Sequence, residues 1–171
     1  MASILKVNEI QHTGGTTALT VDSSGRILQP QKPAFRAYRT SSWVIPTATW
    51  TDFAAQATIF NYGNNYDSGT GRFTAPVTGL YWFHAQWFGS VAPNRGIASL
   101  YINGAQSGSG RGVQTLYLGS TSNGGITYAA TGLINLTAAE YVNFMTYQES
   151  GGNVTANNSN YLSYWCGYLV S

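Results

Sequence analysis

The sequence predicts an all-β fold, an antiparallel two-sheet sandwich preceded by a short β-rich arm, and three observations carry that prediction. Aromatic residues make up 14% of the 171-residue chain and charged residues only 8%, enough apolar material to bury a large core in one domain. From Phe35 onward, strand-like runs alternate with Gly, Ser and Asn turns. No segment has the pattern of a capped amphipathic helix, and Thr137-Ala138-Ala139-Glu140 is at most one helical turn.

The same composition excludes several function classes. Disordered chains lack this aromatic content, and coiled coils need far more Glu, Lys, Leu and Arg. Eight basic and six acidic residues give a net charge of +2, and no two Lys or Arg are adjacent, so there is no basic stripe for nucleic acid. Cys166 is the only cysteine; it excludes an intrachain disulfide or a cysteine-rich zinc site and is expected to be a small internal group. No apolar run approaches the length of about 18 residues that a membrane-spanning helix needs, so membrane insertion is not expected. The opening MASILKVNEIQHTGG has no sustained apolar stretch, which predicts synthesis without a classical signal peptide.

A compositional break near Pro30 and Pro33 divides the chain into residues 1–32 and 33–171. The first zone holds strand-like pieces at Ile4 to Ile10 and Thr16 to Val21, the turn Asp22-Ser23-Ser24-Gly25, and Arg26-Ile27-Leu28. These pieces cannot bury a core alone, so the zone is expected to be an attachment arm that completes a partner's sheet, or else a private hairpin. In the second zone Thr58 to Asn61, Phe73 to Ala75, Gly79 to Phe88, Ile97 to Ile102, Val113 to Leu118, Ile126 to Leu136, Tyr141 to Tyr147 and Tyr161 to Val170 are predicted strands. Alternation puts Tyr81, Phe83, Ala85 and Trp87 on one face of the third of these and Trp82, His84, Gln86 and Phe88 on the other. Ala98, Leu100 and Ile102 share a face before Asn103-Gly104, a two-residue hairpin signal.

The spacing of Asn61, Tyr66, Phe73, Gly79, Tyr81 and Phe83 resembles the globular head domain of the first complement component, in the complement and tumour-necrosis-factor jelly-roll superfamily. Pro33-Ala34-Phe35-Arg36-Ala37-Tyr38 resembles that family's opening strand, and Trp165-Cys166-Gly167-Tyr168-Leu169 its closing strand, so the resemblance spans residues 33–171. The family's Phe, separated from the Asn by five intervening residues, falls on Ala55, with Phe53 nearby. The resemblance implies a jelly roll and a homotrimer whose inner sheets meet around a threefold axis. Trp82, His84, Phe88, Met145 and Tyr147 are the candidate trimer-interface residues. The arm resembles leaders of tailed-phage structural proteins, and no Gly-X-Y stalk precedes the domain.

Enzyme chemistry finds little material. His12 and His84 are the two histidines, no metalloprotease, serine-hydrolase, P-loop or dinucleotide motif occurs, and Glu9, Asp22, Asp52, Asp67, Glu140 and Glu149 do not cluster in sequence. No catalytic residue, cofactor or metal site is predicted. Asn64, Asn65 and Asp67 offer oxygen ligands for calcium, but the segment is foremost a good turn. Polar loops around Pro93-Asn94-Arg95, Gln106 to Arg111, Ser120 to Gly125 and Ser150 to Asn160 suit hydrogen bonding to a glycan or protein, with Asn157, Asn158 and Tyr161 as the candidate ligand-binding rim.

Together these readings lead to the expectation of a noncatalytic trimeric virion protein, a tail fibre or tail-tip component that contacts a host surface glycan. It would be assembled in the host cytoplasm, lie at the virion surface and dock to other virion proteins through residues 1–32. A capsid decoration protein and a secreted binding module are the alternatives.

Overall fold

The computed structural model describes residues 5–89, 94–105, 111–118 and 125–171, and among these the chain forms sixteen strands. They fall into two compact units, Met1–Lys32 and Pro33–Ser171.

The first unit is a three-stranded antiparallel meander of β1 (Glu9–Gln11), β2 (Thr17–Val21) and β3 (Ile27–Leu28). Its turns follow from local chemistry. Gly15, at a φ of +85°, closes the first by donating to the His12 carbonyl at 2.8 Å. Asp22 closes the second: one carboxylate oxygen accepts the Ser24 and Arg26 N–H groups, both at 2.9 Å, and the other accepts Arg26 Nε at 2.6 Å. These bonds, led by the Arg26 N–H, hold the Asp22 carboxyl below its ordinary range. The strands therefore pair with one another, unlike the extended segment expected to complete a partner's sheet. Ile4, the expected start of the first strand, lies outside the described residues.

The second unit is a two-sheet sandwich with a jelly-roll arrangement. At the centre of the first sheet, β10 (Gly79–Gly89) pairs along its whole length with β13 (Ile126–Leu136), from Gly79↔Leu136 to Gly89↔Ile126. Its other edge carries β16 (Tyr164–Leu169), followed outward by β4 (Ala34–Tyr38) and β7 (Ala57–Tyr62). At Gly89 the same edge meets β15 (Val154–Ala156), which pairs with β5 (Trp43–Ile45). The second sheet runs β12 (Val113–Leu118), β11 (Arg95–Ile102), β14 (Tyr141–Glu149), β9 (Arg72–Thr74), β8 (Tyr66–Asp67), with β6 (Thr51–Asp52) also on β14.

The spaced aromatic residues build the core between the sheets. Phe35 stacks on Tyr66 and Phe73 with ring centroids 5.1 and 5.0 Å apart and meets Trp165 edge-on at 4.6 Å; Phe73 meets Phe83 at 5.5 Å and Tyr81 at 5.6 Å. Tyr81, Phe83, Ala85 and Trp87 are fully buried, as alternation along β10 predicts. Asn61 explains its own spacing: its amide donates to the Tyr66 carbonyl at 2.8 Å and accepts the Tyr66 N–H at 3.1 Å, fixing the turn that aims the Tyr66 ring inward. Ala55 is buried and its carbonyl accepts the Tyr66 hydroxyl at 2.6 Å, while Phe53 fills a separate core position against Trp43 and Phe144. A Cβ on Gly167 would lie 2.3 Å from the Phe83 ring, so only glycine lets β16 lie this close to that side chain.

Three local departures from the sequence reading have clear causes. Ser150 to Asn160 is not all loop, because β15 buries Val154 and Ala156. The closing strand begins at Tyr164 rather than Tyr161, since Leu162 and Ser163 donate to the Ser159 carbonyl in a turn. On β11, the outward Tyr101 is buried because Trp50 packs 5.3 Å from it on the second sheet's outer surface, and Ser99 is buried with its hydroxyl donating to the Val113 carbonyl at 3.3 Å.

Thr137-Ala138-Ala139-Glu140 forms the turn between β13 and β14. The Glu140 carboxylate accepts the Thr137 N–H at 2.8 Å and both terminal nitrogens of Arg111 at 2.9 and 2.7 Å. Led by the Arg111 bonds, these contacts hold its pKa down to about 2, against an ordinary 4.5.

Two outcomes are expected. Phe83→Ala should lower unfolding free energy by about 3–5 kcal/mol in denaturant titration. Because the folded-state Glu140 pKa is depressed, its contribution to stability is fully present above pH 4.5 and is lost as pH falls toward about 2. Arg111→Gln should flatten the stability–pH curve across that window.

Candidate functional site

The outward face of the first sheet carries an aromatic and polar patch whose layout follows from strand register. Trp82 sits between Leu133 on β13 and Tyr168 on β16, whose next neighbours are Ala34 and Tyr62. The adjacent row places His84 between Thr131 and Cys166, followed by Arg36 and Phe60. A third row runs through Ala129, Gln86, Tyr164 and Tyr38. Leu133 is 57% exposed, Tyr62 58% and Tyr168 43%, while Trp82, His84 and Phe88 are half-buried. An apolar surface of this kind, interrupted by few polar groups, is characteristic of a contact surface.

Among the patch's polar residues, His84, Gln86 and Thr131 are hydrogen-bonded, whereas the buried Arg36 Nε has no hydrogen-bond partner. Gln86 donates from Nε2 to the Leu162 carbonyl at 3.0 Å, so its Oε1 accepts from His84 Nε2 at 3.0 Å. His84 Nδ1 lies 2.6 Å from the Thr131 hydroxyl, so both ring nitrogens have a hydrogen-bond partner. Its ring lies 6.2 Å from that of Trp82 and 5.6 Å from that of Tyr164, over which the Arg36 guanidinium rests at 4.3 Å. Burial pushes the Cys166 thiol pKa up, opposed by Arg36, so the group is a poor nucleophile.

The structure separates the five candidate interface residues. Trp82, His84 and Phe88 share the first sheet's outward face, while Met145 and Tyr147 lie on β14, on the outward face of the second sheet. There Tyr147 packs 5.1 Å from Trp50 and donates to Glu149 at 2.5 Å, and Asn143 reaches the Met145 sulfur at 3.0 Å. Sequence reasoning missed Leu133, Tyr164 and Tyr168: alternation identifies a strand's faces but not which strand lies beside it.

The rim residues are placed differently again. Asn157 Oδ1 accepts the Ser159 N–H at 2.7 Å, Asn158 Nδ2 donates to the Thr40 carbonyl at 3.2 Å, and Tyr161 is 68% exposed. Pro93, Gln106 to Gly110 and Ser120 to Gly124, which belong to three of the proposed loops, lie outside the described residues. At the turn considered for calcium, Asp67 accepts from the Gly69 N–H and the Thr70 hydroxyl, each at 2.8 Å. No group of three His, Cys, Asp or Glu that could hold a metal occurs among the described residues, and no helix among them is long and apolar enough to cross a membrane.

Sheet order, core and patch define a jelly roll of the complement and tumour-necrosis-factor class. Residues 34–170 match the C1q domain model, and the chain belongs to that family, whose domains are noncatalytic. The globular domain of zebrafish complement 1qA is similar at a TM-score of 0.54 and 17% identity, covering 82% of this chain and 98% of that one. Murine APRIL is similar at 0.62 and 10%, covering 81% and 99%; Eiger TNF from S. frugiperda is similar at 0.56 and 9%, covering 82% and 94%. Among curated proteins no sequence match is found.

These comparisons correct the virion reading. The matched structures are complement and tumour-necrosis-factor proteins, so the expected tail-fibre or capsid role, virion-surface location, assembly in a host cytoplasm and docking to virion proteins through residues 1–32 are withdrawn. The Gly-Thr-rich leader that suggested them supplies the turns of a small meander and thus reflects local structure rather than origin. The host-glycan expectation is withdrawn with them, because the Asn157 and Asn158 side chains already bond to the chain's own backbone.

Those bonds make the Asn pair structural. The Asn157→Ala/Asn158→Ala double variant is expected to lose about 1–2 kcal/mol in equilibrium unfolding, whereas Tyr161→Ala should stay within about 0.5 kcal/mol of the parent.

Proposed function

We propose that the chain is a noncatalytic homotrimeric binding module of the secreted type, in which three copies associate through the outward face of the β10 sheet. The observation that carries this reading is the apolar patch of exposed Leu133, Tyr168 and Tyr62 around half-buried Trp82, flanked by a His84, Gln86 and Thr131 network with no unpaired ring nitrogen. An internally satisfied polar network of this kind can be dried by a partner without leaving a buried donor or acceptor unmet. Family membership supplies the threefold order, since the geometry of one copy is equally compatible with a pair. Binding to other molecules is then left to the surfaces away from the axis.

Sedimentation equilibrium is expected to give three times the 18.4 kDa chain mass, unchanged by reductant. Trp82→Glu/Leu133→Glu should sediment as a monomer while keeping cooperative unfolding, because both side chains lie outside the core. A wild-type monomer at every concentration would refute the reading.

A further inference from the structure

We infer that His84 makes the proposed contact acid-sensitive, so that the copies separate as the histidine takes up a proton. The inference rests on the trimer reading and supplies the regulation of that same surface.

The charge on the outward face of the first sheet is sparse and of one sign. On β10 itself the outward neighbours of His84 are Trp82 and Gln86, which do not titrate. β13 places Thr131 and Leu133 beside it, and β5 and β15 carry no ionisable residue. β16 brings Tyr164, Cys166 and Tyr168, β4 brings Arg36 and Tyr38, and β7 brings Tyr62. Phenols and thiols supply no counter-charge at neutral or mildly acid pH. Among the described residues of these strands, Arg36 is thus the outward group that is always charged. Its guanidinium lies 4.3 Å over the Tyr164 ring, which is 5.6 Å from the His84 ring, and its Nε has no hydrogen-bond partner.

None of the chain's six carboxylates is on this face. Glu9 and Asp22 belong to the first unit, and Asp52, Asp67 and Glu149 to strands of the second sheet. Glu140 is in the β13–β14 turn, bonded to Arg111. Copies that meet through this face therefore present one another with Arg36 and no acid.

The hydrogen bonds let His84 change charge without leaving its place. Gln86 Nε2 donates to the Leu162 carbonyl, which leaves Gln86 Oε1 to accept from His84 Nε2. The Thr131 hydroxyl can donate to Nδ1 of the neutral ring and accept from Nδ1 of the protonated one. A copy with its face in water thus tolerates the proton and stays folded. Once a sister copy excludes that water, the imidazolium becomes a buried cation near a second cation, with no group of opposite sign, and burial of such a charge is costly. Histidine ordinarily changes charge between about pH 5 and 8, so proton uptake and assembly compete across that range. By linkage, each unit of pH below the free copy's titration weakens assembly by up to about tenfold for every His84 covered.

The test follows subunit exchange. Isotope-labelled and unlabelled copies of the full chain are mixed at pH 7.5 and at pH 5.5, and trimers of mixed mass are counted by native mass spectrometry. Exchange of the wild type should be at least about tenfold faster at pH 5.5, because changes in affinity fall mainly on dissociation. His84→Gln and His84→Asn, neutral at both pH values, should lose that acceleration. His12→Gln, in the first unit where His12 Nδ1 accepts the Gly14 N–H, should keep it. In the wild type the His84 ring-proton NMR resonance should titrate over the range in which exchange accelerates. Wild-type exchange that is no faster at pH 5.5, acceleration that persists in both neutral variants, or a His84 titration outside that range would each overturn the inference and leave the trimer reading intact. The resonance decides the matter even where the neutral variants fail to assemble. A wild-type chain that is monomeric at pH 7.5 would overturn both.

Discussion

The packing of the Phe83 ring against Gly167 is the constraint on which the rest of the domain depends. With no Cβ at that position, β16 lies flat beneath Phe83. Trp165 then stands against Phe35, and Phe35 is sandwiched by Tyr66 and Phe73. These rings come from strands in both sheets, so one clearance aligns the two layers. The Asn61 clamp on the Tyr66 backbone works from the other side, holding a short turn rigid so that one ring enters the stack at a fixed angle.

On the outward face the sheet solves a different problem. Aromatic groups there are interleaved with a histidine, a glutamine and a threonine that bond to one another, which gives the surface fixed ring planes as well as apolar area.

Much of the fold was legible in the sequence because its decisive residues obey local rules. Period-two alternation identified the inward face of β10 residue by residue, Asn103-Gly104 marked a turn, where Asn103 has a φ of +53°, and Asp22 marked another. What escaped depended on neighbours that no local pattern specifies. Tyr101 is buried on an outer face because Trp50, about fifty residues earlier in the chain, packs against it. Val154 and Ala156 hide in a polar stretch because they complete a sheet edge with β5. Met145 and Tyr147 looked like companions of Trp82 in the sequence but belong to the opposite sheet. Origin was the least legible property: turn-forming residues suggested a class of organism when they specified only a meander.

β10 has no neutral surface. Its inward residues form the centre of the core, its outward residues form the patch, and both edges are paired, one of them over all eleven residues. Losing a single residue near its start would therefore exchange the two faces, sending Trp82 and His84 toward the core and Tyr81 and Phe83 toward solvent. The length of this strand is thus fixed more tightly than the identity of any residue within it, and changes in chain length must be absorbed in the turns at its ends.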